Sequence, residues 1–115
     1  MMEHVTMNTS NLEASIHFYE KYIGLKIVGD MRSHGTPIVF MASDEKDETK
    51  LEIIQSDRPF QGSGIFIGFK MADFEERLAF FKEEGLQVTD IISPNPHVHF
   101  FFVTDPNGLQ VQIMA

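Results

Sequence analysis

An internal repeat limits the folds that are open to this chain. The segment HVTMNTSNLEASIHFYEKYIGLKIV (4–28) aligns with FIGFKMADFEERLAFFKEEGLQVT (66–89) after one single-residue gap. Further along, LEII (51–54) aligns with VQIM (111–114) at almost the same offset. Few residues are identical, but the apolar positions coincide, as where Leu12 matches Phe74 and Ile16 matches Leu78. We therefore expect two similar structural units in a chain of 115 residues.

Each copy has the same order of predicted elements, a strand, a helix and three further strands. The helices show apolar residues at i, i+4 and i+7, with Ser10 or Asn11 as the first N-cap and Asp73 as the second. Gly24 and Gly85 stand where left-handed C-caps are typical. Alternating β-branched and aromatic residues predict the remaining strands near 25–30, 37–42 and 49–55, and near 86–92, 98–104 and 109–114. The expected fold is α+β, with two tandem βαβββ modules that form a curved mixed sheet around a concave cavity.

The modules are predicted to cover about 1–56 and about 65–115, within one domain spanning 1–115. The polar, Pro- and Gly-containing segment between them, about 57–64, is typical of a linker. In the second module DPNG (105–108) indicates a tight hairpin turn. The charged segment SDEKDET (43–49) is expected to be the corresponding solvated turn of the first module.

Composition excludes several classes of partner and site. The chain has no cysteine, so disulfides, thiolate metal sites and cysteine nucleophiles are ruled out. The formal net charge is −8 and no basic cluster stands out, which disfavours nucleic acid and anionic membrane surfaces as partners. No apolar run is long enough to span a membrane, and the first residues do not resemble a signal peptide. We expect a cytoplasmic protein.

Strand alternation groups the candidate functional residues. His4 lies opposite the apolar face of the first strand, and Glu52 lies opposite Leu51 and Ile53. The same pattern places Phe66 and Gln112 on the corresponding face of the second module. His99, one of an H-x-H pair with His97, is a further candidate to line the cavity as an acid, a base or a hydrogen-bond donor. The rest of the run HFFFV is assigned mostly to the core.

The residues quoted above resemble the vicinal oxygen chelate superfamily, which includes glyoxalases, bleomycin-resistance proteins and extradiol dioxygenases. The resemblance rests on the opening segment 4–28, on LEIIQ (51–55), on GIFIGFKMADFEERLAFFKEEGLQV and on FFFVTDPNGLQVQIM, so it covers nearly the whole chain. It implies paired βαβββ modules, a small-molecule ligand and, in many members, a homodimer. It does not determine the chemistry, because the superfamily contains several activities.

The resemblance also implies four repeat-related metal-ligand positions. They fall on His4, Glu52, Phe66 and Gln112. An imidazole and a carboxylate are ligands for zinc, nickel, iron or manganese, whereas a phenyl ring donates nothing and an amide oxygen is a weak neutral ligand. A metal site would therefore consist of His4, Glu52 and Gln112 only. Two histidines and one carboxylate, the arrangement of non-haem iron oxygenases, cannot be assembled from these positions.

Two functions remain open at this point. The first is a small-molecule binder without a metal or with a degenerate metal site, with a pocket lined by His4, Glu52, Phe66, His99 and Gln112. In that case Glu52 is neutralised by His4 across the cavity. The second is a metal-dependent glyoxalase-like lyase or isomerase, or a dioxygenase relative, with Glu52 as the catalytic carboxylate. Gln112 has no usable proton-accepting group, so we expect glyoxalase activity to be absent or very weak.

Overall fold

The sequence repeat corresponds to a structural repeat. A computed structural model describes residues 1–44 and 48–115, and the chain divides into unit 1, Met1–Phe60, and unit 2, Gln61–Ala115. The boundary lies inside the segment expected to be a linker. Residues 45–47, in the middle of the predicted solvated turn, lie outside the described residues. The grouping of both units into one domain stays a prediction.

Unit 1 is a four-stranded sheet with one helix. The strands are β1 His4–Thr9, β2 Lys26–Asp30, β3 Ile38–Ala42 and β4 Lys50–Gln55, and helix α1 spans Leu12–Phe18. The strand order is β1-β4-β3-β2, with β1 parallel to β4 and the other pairs antiparallel. A short 3₁₀ turn, Arg32–His34, lies between β2 and β3.

Unit 2 repeats this topology. Its strands are β5 Phe66–Lys70, β6 Ile92–Asn95, β7 Val98–Thr104 and β8 Gln110–Met114, and helix α2 spans Phe74–Glu83. The strand order is β5-β8-β7-β6, again with one parallel pair, β5 and β8. The predicted α+β fold of two βαβββ units is confirmed.

The helix ends agree in part with the predicted caps. Asn11, rather than Ser10, caps α1, because its side chain accepts a hydrogen bond from the Ala14 amide at 3.1 Å. Asp73 is at the N-cap position of α2, but its carboxylate accepts from the Arg77 guanidinium at 2.9 Å. Helix α1 continues as a π-helical turn, Tyr19–Ile23, which ends at Gly24 with φ of 86°. Gly85 also has positive φ, as expected for a left-handed C-cap.

The strand predicted at 86–92 is wrong in its position. Val88 makes only an isolated bridge to Val103, and the continuous strand β6 begins at Ile92. The Thr89 side chain is the cause, because its hydroxyl accepts the Phe102 amide hydrogen that a continuous ladder would have paired with a backbone carbonyl. A side chain that takes the place of a backbone acceptor in this way interrupts the ladder of hydrogen bonds, and the chain leaves the sheet.

One face of each sheet is buried, and it carries the residues that alternate with the candidate site. Leu51 and Ile53 of β4 are buried in unit 1, and Val111 and Ile113 of β8 are buried in unit 2. The rest of the core includes Phe101 of β7 and residues of the helical segments, namely Phe18, Tyr19, Phe74, Leu78 and Phe81. In the part of the chain that is described, no helix is both long and apolar enough to cross a membrane.

Candidate functional site

Glu52 is held on the less apolar face of the sheet of unit 1 (sheet 1) by a hydrogen bond from the neighbouring strand. The parallel register places Thr6 of β1 beside Glu52 of β4, so both side chains emerge on the same face. The Thr6 hydroxyl donates to Glu52 Oε1 at 2.5 Å. The Glu52 side chain is 14% exposed. A carboxylate that is largely removed from water requires such a donor, and a charge-assisted bond of this length is a strong one.

His4 lies next to this pair, but it is not the principal partner of Glu52. Its Nε2 is 3.5 Å from Glu52 Oε1, beyond the usual length of a hydrogen bond. Its ring stands edge-on to Phe40 of β3, with the centroids 5.7 Å apart. The expected pairing of His4 with Glu52 is present at the distance of an ion pair, but not across a cavity. The contact is between adjacent strands of one sheet, and Thr6 supplies the hydrogen bond.

The corresponding face of the sheet of unit 2 (sheet 2) is aromatic. Gln112 of β8 lies between Gly68 of β5 and Phe102 of β7 in the strand register. A Cβ on Gly68 would lie 3.3 Å from Gln112 Oε1, so the glycine leaves space for the amide. Phe66 of β5 packs against Phe102 with the ring centroids 4.8 Å apart, yet Phe66 remains 56% exposed.

The two faces are built on the same plan with different side chains. In unit 1 the ring of His4 contacts the ring of Phe40, and in unit 2 the ring of Phe66 contacts that of Phe102. Glu52 receives a hydrogen bond from Thr6, whereas Gln112 has a glycine at the equivalent position. Unit 1 therefore offers a negative charge on this face, and unit 2 offers exposed aromatic surface with a neutral amide.

His99 does not share the face of Phe66 and Gln112. In β7 it alternates with Phe100 and lies on the same side as Phe101, which is buried. Its Nδ1 is 2.7 Å from Ser93 Oγ. The run HFFFV is also less uniformly core than predicted, because Phe100 and Phe102 are only half-buried.

Neither unit, taken by itself, contains the set of side chains that a metal centre needs. Among the described residues, no group of three or more His, Cys, Asp or Glu side chains is arranged to hold a metal ion. Unit 1 contributes His4 and Glu52, one ligand fewer than the three protein ligands of catalytic zinc sites. One oxygen of Glu52 already accepts the Thr6 hydroxyl. The third predicted ligand, Gln112, would be a neutral amide.

A concave feature lies within unit 1, at the start of α1. It is a cleft of about 380 Å³ lined by Ser10, Asn11, Leu12, Glu13, Arg32, Gly35, Thr36, Pro37 and Gln55. Arg32 donates to Asp30 at 2.7 Å and to Glu13 at 2.9 Å. Hydrogen bonds from Arg32 lower the pKa of Asp30 to about 2, and the same contact raises the pKa of Arg32. Two carboxylates thus neutralise this arginine, which makes the cleft a poor anion site.

Sequence reasoning placed Thr6 on the face of His4 but did not identify it as the partner of Glu52, and it did not single out Phe40, Gly68 or Phe102 as part of these faces. For Gly68 and Phe102 a signal was present. Alternation places Thr6 beside His4 on one strand, and the repeat aligns Thr6 with Gly68. Alternation also predicts the face of Phe102, because Phe102 is adjacent to Phe101, which lies on the buried face of β7. Only the strand register shows that Phe40 lies beside Glu52.

Comparison with known proteins identifies the family. The sequence profile of the Glyoxalase/Bleomycin resistance protein/Dioxygenase superfamily matches residues 2–113. No curated protein sequence gave a significant match. Among solved structures, a glyoxalase family protein from Enterococcus faecalis is similar at a TM-score of 0.74 and 24% identity, covering 100% of this chain and 97% of that chain.

Two further structures share the fold at lower identity. The antibiotic-binding protein TnmS3 from Streptomyces sp. CB03234 has a TM-score of 0.80 and 18% identity, with 99% of this chain and 93% of that chain covered. The trypanothione-dependent glyoxalase I of Leishmania major has a TM-score of 0.76 and 21% identity, with coverages of 99% and 85%. These likenesses concern the fold. The profile match spans almost the whole sequence, and the chain belongs to the Glyoxalase/Bleomycin resistance protein/Dioxygenase superfamily.

Proposed function

We propose that this protein binds a small molecule with a flat aromatic part, and that it does so without a metal. His4 and Glu52 of unit 1 and Phe66 and Gln112 of unit 2 are the proposed ligand-binding residues. The observation that carries the proposal is the exposed ring of Phe66, which packs against Phe102 on an open sheet face. A superfamily relative of the same fold, TnmS3, is an antibiotic-binding protein.

The physical argument begins with the cost of exposing Phe66. A phenyl ring in water forfeits part of the roughly 1.5–3 kcal/mol that burial of such a side chain contributes. A flat ligand ring placed on Phe66 recovers that energy and adds an aromatic contact of about 0.5–1.5 kcal/mol. Gln112 on the same face offers an amide donor and an acceptor that can fix the orientation of such a ligand.

Charge favours a cationic or hydrogen-bond-donating ligand. The chain carries a formal net charge of −8, which raises the local concentration of cations near its surface. Glu52 has one oxygen engaged by Thr6, and a carboxylate has capacity for further donors. An amino group on a ligand suits the carboxylate of Glu52, and an aromatic part suits the exposed ring of Phe66.

Binding is tested by equilibrium dialysis of the protein against bleomycin and other antibiotics that contain a flat aromatic part, with a chelator present. We expect Phe66→Ala to weaken the binding of the best ligand about tenfold, which corresponds to 1.4 kcal/mol. Ile65→Ala is the matched control, because Ile65 is the adjacent residue and is 61% exposed. The control should bind like the wild type. Failure of every compound to bind, or equal losses in both variants, would contradict the proposal.

The second candidate is the metal-dependent lyase, isomerase or dioxygenase relative, and the proximity of His4 to Glu52 favours it. In that reading His4, Glu52 and Gln112 hold a divalent metal. A metal in such a site would supply polarisation of a substrate oxygen. No carboxylate would then be left in this set to act as a base, since Glu52 is a ligand and Gln112 is an amide.

Elemental analysis of protein purified without chelators separates the two candidates. We expect less than stoichiometric zinc, nickel, iron and manganese, and no glyoxalase turnover after Ni²⁺ or Zn²⁺ is added. The missing proton acceptor is the physical reason for the second expectation. Stoichiometric metal that is lost in both His4→Ala and Glu52→Ala, or robust glyoxalase turnover, would instead establish the second candidate. Light scattering of the same preparation tests the predicted homodimer.

A further inference from the structure

A serine and a histidine are hydrogen-bonded to each other in the β6–β7 hairpin of unit 2. Ser93 lies on the edge strand β6, and His99 lies on β7. The distance from Ser93 Oγ to His99 Nδ1 is 2.7 Å. On the other side of the ring, His99 Nε2 is 3.1 Å from the carbonyl oxygen of Pro96. These contacts are not part of the proposed ligand-binding faces.

The carbonyl of Pro96 determines which ring nitrogen of neutral His99 carries the hydrogen. A carbonyl oxygen can only accept, so Nε2 must be the donor and Nδ1 the acceptor. The Ser93 hydroxyl therefore donates its hydrogen to Nδ1. A hydroxyl that donates to an imidazole, with the second ring nitrogen oriented by a third group, is the arrangement that activates serine nucleophiles.

The hairpin holds this pair in place and leaves the serine accessible. Pro94 follows Ser93 in the strand, and Pro96 begins the turn, so two fixed φ angles restrict the backbone beside the pair. The His97 amide hydrogen bonds to Asn95 Oδ1 at 2.8 Å and closes the turn. Ser93 is exposed and His99 is half-buried, so a solute reaches the hydroxyl while the sheet holds the imidazole.

We propose that Ser93 and His99 form a nucleophilic dyad that takes an acyl group from small activated esters. The Ser93 hydroxyl oxygen attacks the ester carbonyl, and its hydrogen passes as a proton to His99 Nδ1. A bond between Ser93 Oγ and the acyl carbon forms, and the bond from that carbon to the leaving-group oxygen breaks. The leaving alcohol takes the proton from His99. Water then releases the acyl group as a carboxylic acid and restores the serine.

The test uses p-nitrophenyl acetate and the full chain, with the acetylated residues located by peptide mass mapping. We expect Ser93 to be acetylated about 100-fold faster than Ser10, because a positioned general base contributes at least about this factor. Ser10 is also exposed and lies in unit 1, so it reports the rate of an ordinary surface serine in the same molecule. Equal rates at Ser93 and Ser10 overturn the proposal.

Two variants distinguish activation by His99 from simple exposure. His99→Gln should reduce acetylation of Ser93 about 100-fold, whereas His97→Gln, in the same hairpin, should leave it unchanged. Circular dichroism checks that both variants are folded. Wild-type acetylation of Ser93 by a folded His99→Gln protein overturns the proposal. The ratio of Ser93 to Ser10 in the wild type needs no variant, so it decides the question even if His99→Gln does not fold.

Discussion

We expect Phe101→Ala to lower the free energy of unfolding by about 3–5 kcal/mol, the range observed when a buried phenyl group is removed. Phe101 is fully buried on the inner face of β7. Its ring lies 5.3 Å from that of Phe74 and 5.9 Å from that of Phe81, measured between centroids. Both partners belong to α2, so the substitution leaves a cavity between the helix and its sheet. Urea denaturation followed by circular dichroism measures the loss.

Phe102→Ala is the matched control for this experiment. It removes the same group from the adjacent residue, but Phe102 is half-buried on the opposite face of the strand. We expect a loss of about 1 kcal/mol, the centre of the distribution for single substitutions. Equal losses for Phe101→Ala and Phe102→Ala would show that the assigned alternation of β7 is wrong.

Asp105→Ala is expected to cost about 3 kcal/mol, because it removes the acceptor of two backbone hydrogen bonds to a charged group. Asp105 is buried in the turn before β8. Its Oδ1 accepts from the Asn107 amide at 2.8 Å and from the Leu109 amide at 2.9 Å. Leu109 is buried as well, so water cannot fully replace the lost acceptor. The same denaturation experiment at neutral pH measures the effect.

Two controls sharpen the interpretation of that result. Asp105→Asn keeps one carbonyl-type oxygen but places an amide beside the Asn107 Nδ2 donor, which is 3.2 Å from Asp105 Oδ2. We expect about half of the loss seen with alanine. Asp90→Ala removes a carboxylate that is 98% exposed, and it should change stability by less than about 0.5 kcal/mol. An Asp105→Ala protein as stable as Asp90→Ala would refute the role given to the turn.

Much of the fold could be predicted because its signals are local and occur twice. The helix periodicity, the positive φ of Gly24 and the alternation of β4 and β8 each depend on a few neighbouring residues. Because of the repeat, the order of elements in one unit could be inferred from the order in the other. The prediction failed at 86–92, where the Thr89 hydroxyl, rather than a backbone carbonyl, accepts the amide hydrogen of Phe102, 13 residues further along the chain. No local pattern carries that information.

The sequence predicted which sheet face carries the candidate residues, but it did not predict which side chains contact them. Alternation placed His4 and Glu52 on the less apolar face of sheet 1, and the structure brings them within 3.5 Å of each other. It could not show that Thr6 donates to Glu52 or that Phe40 lies beside it, because these contacts depend on the register between strands about 46 and 12 residues apart in sequence. His99 shows the same limit, since its partners Ser93 and Pro96 are set by the hairpin.

The sequence by itself determined that this protein has two βαβββ units, that each sheet has one apolar face, and that the second unit has Phe66 and Gln112 where the first has His4 and Glu52. These properties follow from residue spacing within single elements and from the repeat. The tertiary structure decided which side chains meet on those faces. Strand register and the β6–β7 hairpin pair Glu52 with Thr6, Phe66 with Phe102, and His99 with Ser93. A shift of one residue would change each pairing, and no single segment specifies that register.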